Sequence, residues 1–237
     1  MRMNFFDVEI IRYVNQFSQQ SWMLDRIINS LSHNSLLKGC VLSMVIWWAW
    51  FNRRDDHSYH REYIISTLFS CVVAIALARA LALTLPFRLR PLHEEALHFL
   101  RPYGVMPESL SEWSSFPSDH AVLFFALSTG LSFICTKAGI FALSYSILFI
   151  CFPRIYLGLH YPTDIIVGAA IGAFIAIIVN IYLIKNKYMR SLINLSNSKP
   201  HLFYPLLFLY TYQIADMFSS SRALAIDMLK LIQSIMR

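Results

Sequence analysis

Residues 162–184 read PTDIIVGAAIGAFIAIIVNIYLI. Asp164 carries the only charge, and beyond it only Asn180 and Tyr182 offer a polar atom. A run this long and apolar matches the thickness of a bilayer's hydrocarbon core and reads as a membrane-spanning helix. Pro162 suits its first helical position, and Asp164 falls in its first turn, where a carboxylate faces the positive end of the helix dipole. Working outward, comparable runs occupy roughly 35–51, 62–86, 119–136 and 138–157. A further run, 201–218, is weakened as a span by Tyr210, Tyr212, Gln213 and Asp216. Hydrophobic residues make up 57% of the 237-residue chain and charged residues 14%. Soluble domains hold about 45–50% and about 25%, so the composition is that of an integral membrane protein. The sequence therefore predicts an all-α, polytopic membrane helical bundle with five or six transmembrane helices, folded as one domain over residues 1–237.

The flanks are different in kind. In residues 4–31, Phe6, Ile10, Val14 and Phe17 share a helical face, and Trp22, Leu24, Ile27, Ile28 and Leu31 follow, with polar residues between them. This pattern predicts an interfacial amphipathic helical segment over 1–34 rather than a span. Asp7, Glu9, Asn15 and Gln16 interrupt any apolar run of the kind found in a cleavable signal. Trp47, Trp48 and Trp50 close the first span as expected interface anchors. At the other end, 185–237 holds the sixth candidate span and an amphipathic tail from Arg222 to Arg237, with Leu224, Met228, Leu229 and Ile232 aligned. Cys40, Cys71, Cys135 and Cys151 lie inside apolar runs without metal-ligand spacing and read as buried hydrophobes. The net charge of +6 sits at helix ends and in loops. That placement fits a bilayer partner and excludes a nucleic-acid one. Arg53, Arg54, Arg61, Lys137, Lys185, Lys187 and Arg190 fall on one side, against Arg88, Arg90, Arg101 and Arg154 on the other. The positive-inside bias puts the first set in the cytoplasm. The sequence carries no signal for oligomeric state.

Chemistry-bearing residues gather at the opposite ends of these runs. Ser118 in Phe116-Pro117-Ser118-Asp119-His120 is a good N-cap for a long apolar helix, whose first N–H groups attract an anion. His120 in the first turn has an ordinary pKa suited to acid–base work on a leaving oxygen. The second cluster is Arg154, His160 and Asp164, spaced R-x5-H-x3-D. Asp164 lies four positions after His160, so the carboxylate is expected to receive an imidazole N–H and orient the other nitrogen. Arg154 offers a two-pronged donor to phosphate oxygens. Third come Arg88 and Arg90, before Pro91, and Arg79, a charge inside a span. An intramembrane arginine is costly and either functional or drawn toward the interface. Cations, imidazoles and a carboxylate at helix ends point to a phosphate at a bilayer surface.

Together the three clusters resemble the signature of the type 2 phosphatidic acid phosphatase superfamily, K-x6-R-P, P-S-G-H and S-R-x5-H-x3-D. Arg90-Pro91 fits the end of the first pattern, with Leu83 where it has Lys and Arg79 one turn deeper as the candidate substitute. Asp119 stands in place of Gly in the second, and Pro153 in place of Ser in the third. The resemblance covers roughly 62–184, which makes that stretch the expected catalytic core. It implies a lipid phosphatase in which His160 attacks phosphorus, Asp164 orients it and His120 handles the leaving-group proton. Arg154, Arg90, Arg88, Arg79, Ser118 and Asp119 line the phosphate site. It implies no metal and no cofactor, and a lipid phosphate as substrate. The Ser-Asp-His form is similar to bacterial undecaprenyl-diphosphate phosphatases. That suggests undecaprenyl diphosphate as substrate, in the bacterial cytoplasmic membrane with the site facing the periplasm or outside. Phosphatidate, phosphatidylglycerol phosphate or a lipid A phosphate as substrate, a phosphotransferase, and a non-catalytic lipid-binding protein are the alternatives.

Overall fold

A computed structural model describes residues 4–52, 59–184 and 186–235, and among them every regular element is helical. Arg53, Arg54 and Lys185, counted above in the charge bias, lie outside the described residues, as does the end of the tail. Two short helices come first. Asn4 caps α1 (Phe5–Asn15) by accepting the Asp7 N–H at 2.7 Å, and Ser21 caps α2 (Trp22–His33) through the Leu24 N–H. The apolar helices follow as α3 (Leu36–Phe51), α4 (His60–Thr84), α5 (Asp119–Ile134), α6 (Thr136–Tyr156) and α7 (Pro162–Leu183). α8 (Lys187–Ser198), α9 (Pro200–Ala215) and α10 (Ser219–Ile235) end the chain.

Three of these, α4, α6 and α7, are long and apolar enough to cross a bilayer, at 25, 21 and 22 residues. α3 and α5 are apolar but shorter, and Pro205 interrupts α9. α5 is apolar nearly all round because it is buried nearly all round: Ala121, Val122, Leu123, Phe124, Ala126, Leu127 and Leu131 all lie in the core. α4, α6 and α7 enclose it. A helix wrapped by protein has no lipid thickness to match, which explains its length. On the outside, Phe174, Ile181 and Leu148 stand exposed. In water such a surface would be an aggregation hazard, and against lipid tails it is the expected one.

The flanks and the tryptophans add detail that the sequence does not carry. α1 and α2 turn Phe5 and Trp22 outward, 81% and 65% exposed, while Asp7 and Asp25 are fully buried against the bundle. Aromatic side chains of this segment stand exposed, and carboxylates plug it into the protein. Of the three tryptophans, only Trp48 is exposed. Trp50 is buried with its indole N–H donated to the Tyr204 hydroxyl at 3.3 Å, and Trp47 donates to Thr211 Oγ1 at 3.1 Å. Both therefore bind α3 to α9. α8, finally, was not read from the sequence at all.

Candidate active site

Close helix packing creates the site. A Cβ on Gly172 would lie 2.1 Å from the Val122 carbonyl oxygen, and one on Gly168 would lie 2.9 Å from that of Ser118. Glycine at both positions lets α7 lie directly on α5. The Ser118 N–H then donates to the Asp164 carbonyl at 3.2 Å, which joins the first turns of the two helices. The first cluster is tied in the same way. The Ser115 N–H donates to the Arg88 carbonyl and the Leu92 N–H to the Gly158 carbonyl, both at 2.9 Å. Gly158, at φ +68°, permits the turn that folds the chain back so that the Arg154 carbonyl accepts from Leu159 and His160. Ser118 caps α5 as expected, through the Ala121 N–H at 3.4 Å.

His160 is buried. Its Nδ1 lies 2.8 Å from the Ser115 carbonyl oxygen and 3.7 Å from Asp164 Oδ2. The carbonyl takes the imidazole N–H, and Asp164 sits just beyond hydrogen-bond reach, a different arrangement from the one its spacing suggested. The assignment leaves Nε2 unprotonated, 3.4 Å from Arg90 Nη1. Burial pushes the His160 pKa down to about 4, the Arg90 and Arg154 charges push the same way, and Asp164 opposes them. At neutral pH the ring is neutral, with a lone pair on Nε2.

Arg90 is fixed by carbonyls: Nη1 donates to Leu159 at 2.5 Å, Nε to Trp113 at 3.2 Å and to Leu110 at 3.3 Å, and Nη2 to Ser114 at 3.3 Å. Burial lowers its pKa to about 10, so it stays charged at neutral pH. Arg154 is buried, with Nη2 against the His120 imidazole. Its Nε has no hydrogen-bond partner among the described residues. His120, half-buried in the first turn of α5, is thus in direct contact with Arg154.

The remaining arginines behave differently from expectation. Leu83 stands 82% exposed near the end of α4, while Arg79, one turn deeper, reaches Asp119 at 2.5 Å and lies 5.0 Å above the Trp113 ring. Asp119, which stands where the family pattern has Gly, is thus bonded to the arginine one turn below the position of the missing Lys. Arg79 Nε and Asp119 Oδ1 are left without partners among the described residues. Arg88 does not face the open edge of His160. Nη1 donates to Asp164 Oδ1 and to Thr163 Oγ1, Nη2 donates to Asp7 Oδ2 at 2.7 Å, and the guanidinium stacks 4.1 Å from the Tyr161 ring. Its place is behind the site, in contact with two carboxylates. The other Asp164 oxygen accepts the Tyr161 N–H at 2.8 Å, closing the first turn of α7.

The structure therefore brings together His160, His120, Arg90, Arg154 and Ser118, sets Asp164 and Arg88 behind them, and pairs Arg79 with Asp119 alongside. Asp7, Thr163, Trp113, Ser114 and Ser115 take part and were not read from the sequence. Three of them, Trp113, Ser114 and Ser115, act through backbone carbonyls, which no side-chain pattern signals.

The sequence model described as PAP2 superfamily matches residues 63–188. The "Bacitracin transport permease protein BcrC" of Bacillus licheniformis is 25% identical over 178 residues, covering 73% of this chain and 78% of that protein. The "Undecaprenyl-diphosphatase BcrC" of Bacillus subtilis strain 168 is 23% identical over 167 residues, covering 70% and 78%. The crystal structure of Aquifex aeolicus LpxE aligns over 76% of this chain and all of that one, at 25% identity and a TM-score of 0.49.

Proposed function

The chain belongs to the PAP2 superfamily, and we propose that it is a metal-independent membrane lipid phosphatase working through a phosphohistidine. Its proposed substrate is undecaprenyl diphosphate, cleaved to the monophosphate at the outer face of the bacterial cytoplasmic membrane. The observation that carries this reading is His160: buried, neutral, its Nδ1–H held by the Ser115 carbonyl and its Nε2 open beside Arg90. A neutral imidazole with one nitrogen fixed as donor presents the other as nucleophile.

In the first step the Nε2 lone pair forms the P–N bond as the P–O bond to the lipid phosphate breaks, and His120 supplies a proton to the departing oxygen. In the second, His120 takes a proton from water, whose oxygen attacks phosphorus and releases His160 with inorganic phosphate. Arg90 and Arg154, with the N–H groups at the start of α5, hold the phosphoryl oxygens. Fixed donors aimed at developing charge are the main resource in phosphoryl transfer. Arg79 neutralises Asp119, which would otherwise repel the substrate. The similarity to the undecaprenyl-diphosphatase of Bacillus subtilis supports the choice of lipid, and the apolar outer faces of α4, α6 and α7 suit a polyisoprenoid tail.

The test is phosphate release by the detergent-solubilised protein from a panel of undecaprenyl diphosphate, phosphatidate, phosphatidylglycerol phosphate and lipid A 1-phosphate, with chelator present. Wild type should prefer the isoprenoid diphosphate, and His160→Ala should lose nearly all turnover. Retained turnover in that variant would sink the phosphohistidine. A preference for another lipid would move the substrate and leave the chemistry standing.

A further inference from the structure

One carboxylate in the first helix has no place in the scheme above. Asp7 lies on α1 among outward-facing aromatics, yet is itself 0% exposed. A carboxylate is not buried without compensation, and this one is fully satisfied. Arg88 Nη2 donates to Oδ2 at 2.7 Å, the Thr163 hydroxyl to the same oxygen at 2.6 Å, and the Thr163 N–H to Oδ1 at 2.9 Å. Asp7 thus caps the start of α7 from another helix. Through Arg88 it is one residue removed from Asp164, and Asp164 is the carboxylate nearest His160 among the described residues.

We propose that Asp7 is a positioning residue for phosphoryl transfer at His160, and this rests on the phosphohistidine reading. It fixes Arg88 and the first turn of α7, and supplies the net negative charge that the imidazole needs on becoming cationic. Charge accounting carries the argument. Arg88 alone would cancel Asp164, leaving nothing behind His160 to offset Arg90 and Arg154 in front of it. With Asp7 bound to the other side of Arg88, the group of three is net negative. When Nε2 forms the P–N bond with Nδ1 still protonated, the ring acquires a positive charge, and the net anion behind it stabilises that state. The N-terminal segment is then part of the active site.

The experiment uses the full chain in micelles, with Asp7→Asn, Arg88→Gln and the double variant. Asparagine keeps an acceptor for the Thr163 N–H and removes the charge, together with the acceptor that faces Arg88 and the Thr163 hydroxyl. Asp7→Asn should lower kcat about 10- to 100-fold, the usual range for removing an outer partner of a site group, with KM nearly unchanged. In the Arg88→Gln background the sign should reverse. Asp7 and Asp164 then repel without a cation between them, and adding Asp7→Asn should recover activity. An unchanged kcat, or the same fractional loss in both backgrounds, would reduce Asp7 to an anchor and overturn the proposal.

The second readout needs no substrate. In an NMR titration of labelled histidine, with the His160 signal identified by its loss in His160→Gln, Arg88→Gln should raise the His160 pKa. Asp7→Asn added to it should take part of the rise back, with Arg90, Arg154 and Asp164 present throughout. If no lipid is turned over but this pattern holds, the proposed activity fails and the positioning role stands. A His160 pKa that ignores both changes overturns the role whatever the turnover. Should Asp7→Asn alone not fold, the double variant against Arg88→Gln gives the same comparison.

Discussion

The Arg79–Asp119 pair offers the sharpest quantitative test. Its N–O contact is 2.5 Å, with the arginine side chain 28% exposed and the aspartate 16%. Unit charges about 4 Å apart attract by about 1 kcal/mol in water and about 4 kcal/mol at the effective dielectric of a protein surface. Partial exposure screens the pair, so a coupling of about 1–3 kcal/mol is expected, less than the ~3–5 kcal/mol seen when a fully buried pair is broken. The perturbation is a double-mutant cycle of Arg79→Gln and Asp119→Asn, read by kcat/KM for phosphate release. Arg79→Gln alone leaves an unpaired carboxylate beside the phosphate and should lower kcat/KM by about 10²-fold, the loss expected when one fixed electrostatic partner goes. Asp119→Asn alone should be mild, because Arg79 still has the Trp113 ring beneath it. The double variant should match Asp119→Asn, so that the second substitution rescues the first at least tenfold, or about 1.4 kcal/mol. If it is as inactive as Arg79→Gln, the coupling is absent. Arg79 then touches the phosphate itself, and the neutralising role assigned to it is wrong.

Other consequences can be checked directly. His160 binds its proton in the unfolded chain near pH 6.5 but in the folded one only near 4. Protonation therefore favours unfolding, and stability should fall as pH drops from 6.5 to 4, by up to about 3 kcal/mol, then level off. Denaturant titrations of wild type and His160→Asn should differ by this slope, the wild type falling more steeply. Gly172→Val would place a side chain against the Val122 carbonyl. It should force α5 from α7, break the Ser118–Asp164 backbone bond and abolish phosphate release while the protein still inserts in membranes. Ser118→Ala removes the α5 cap and should cost about 1 kcal/mol in thermal unfolding.

What was legible in the sequence follows from what sequence can encode. The run from Ile165 to Leu183 and its counterparts are visible because lipid selects composition as well as periodicity. α8 was not, because KYMRSLINLSNS mixes charge, amides and isolated apolar residues in a stretch that only docking makes helical. His120, Arg154, His160 and Asp164 could be picked out because each is an unusual residue type at the mouth of an apolar helix. Their partners could not. A carboxylate on an amphipathic helix reads as a solvated residue, and only the approach of α1 to α7 shows Asp7 buried. Trp50 misled for the mirror-image reason: a tryptophan at a span's end suits the interface, but α9, whose Phe203 stacks on it at 5.4 Å, covers it.

The departures from the family signature make sense as charge accounting rather than as decay. Losing the Lys position to Leu83 removes one cation from the end of α4, and replacing Gly with Asp119 adds an anion at the start of α5. Taken alone, each weakens the hold on a phosphate. Arg79 restores the cation from one turn deeper and pairs with that anion, so the two changes nearly cancel as an ion pair. In the proposed mechanism the phosphate-facing cations are then Arg90 and Arg154. Arg90 is immobilised by four backbone carbonyls and Arg154 shares a nitrogen with His120. A decayed site would have no reason to keep a buried arginine rigid with its charge aimed at a neutral imidazole, because a stranded cation costs folding energy. The fold carries that cost here in two such arginines, which is the expected signature of a pocket selected for its field.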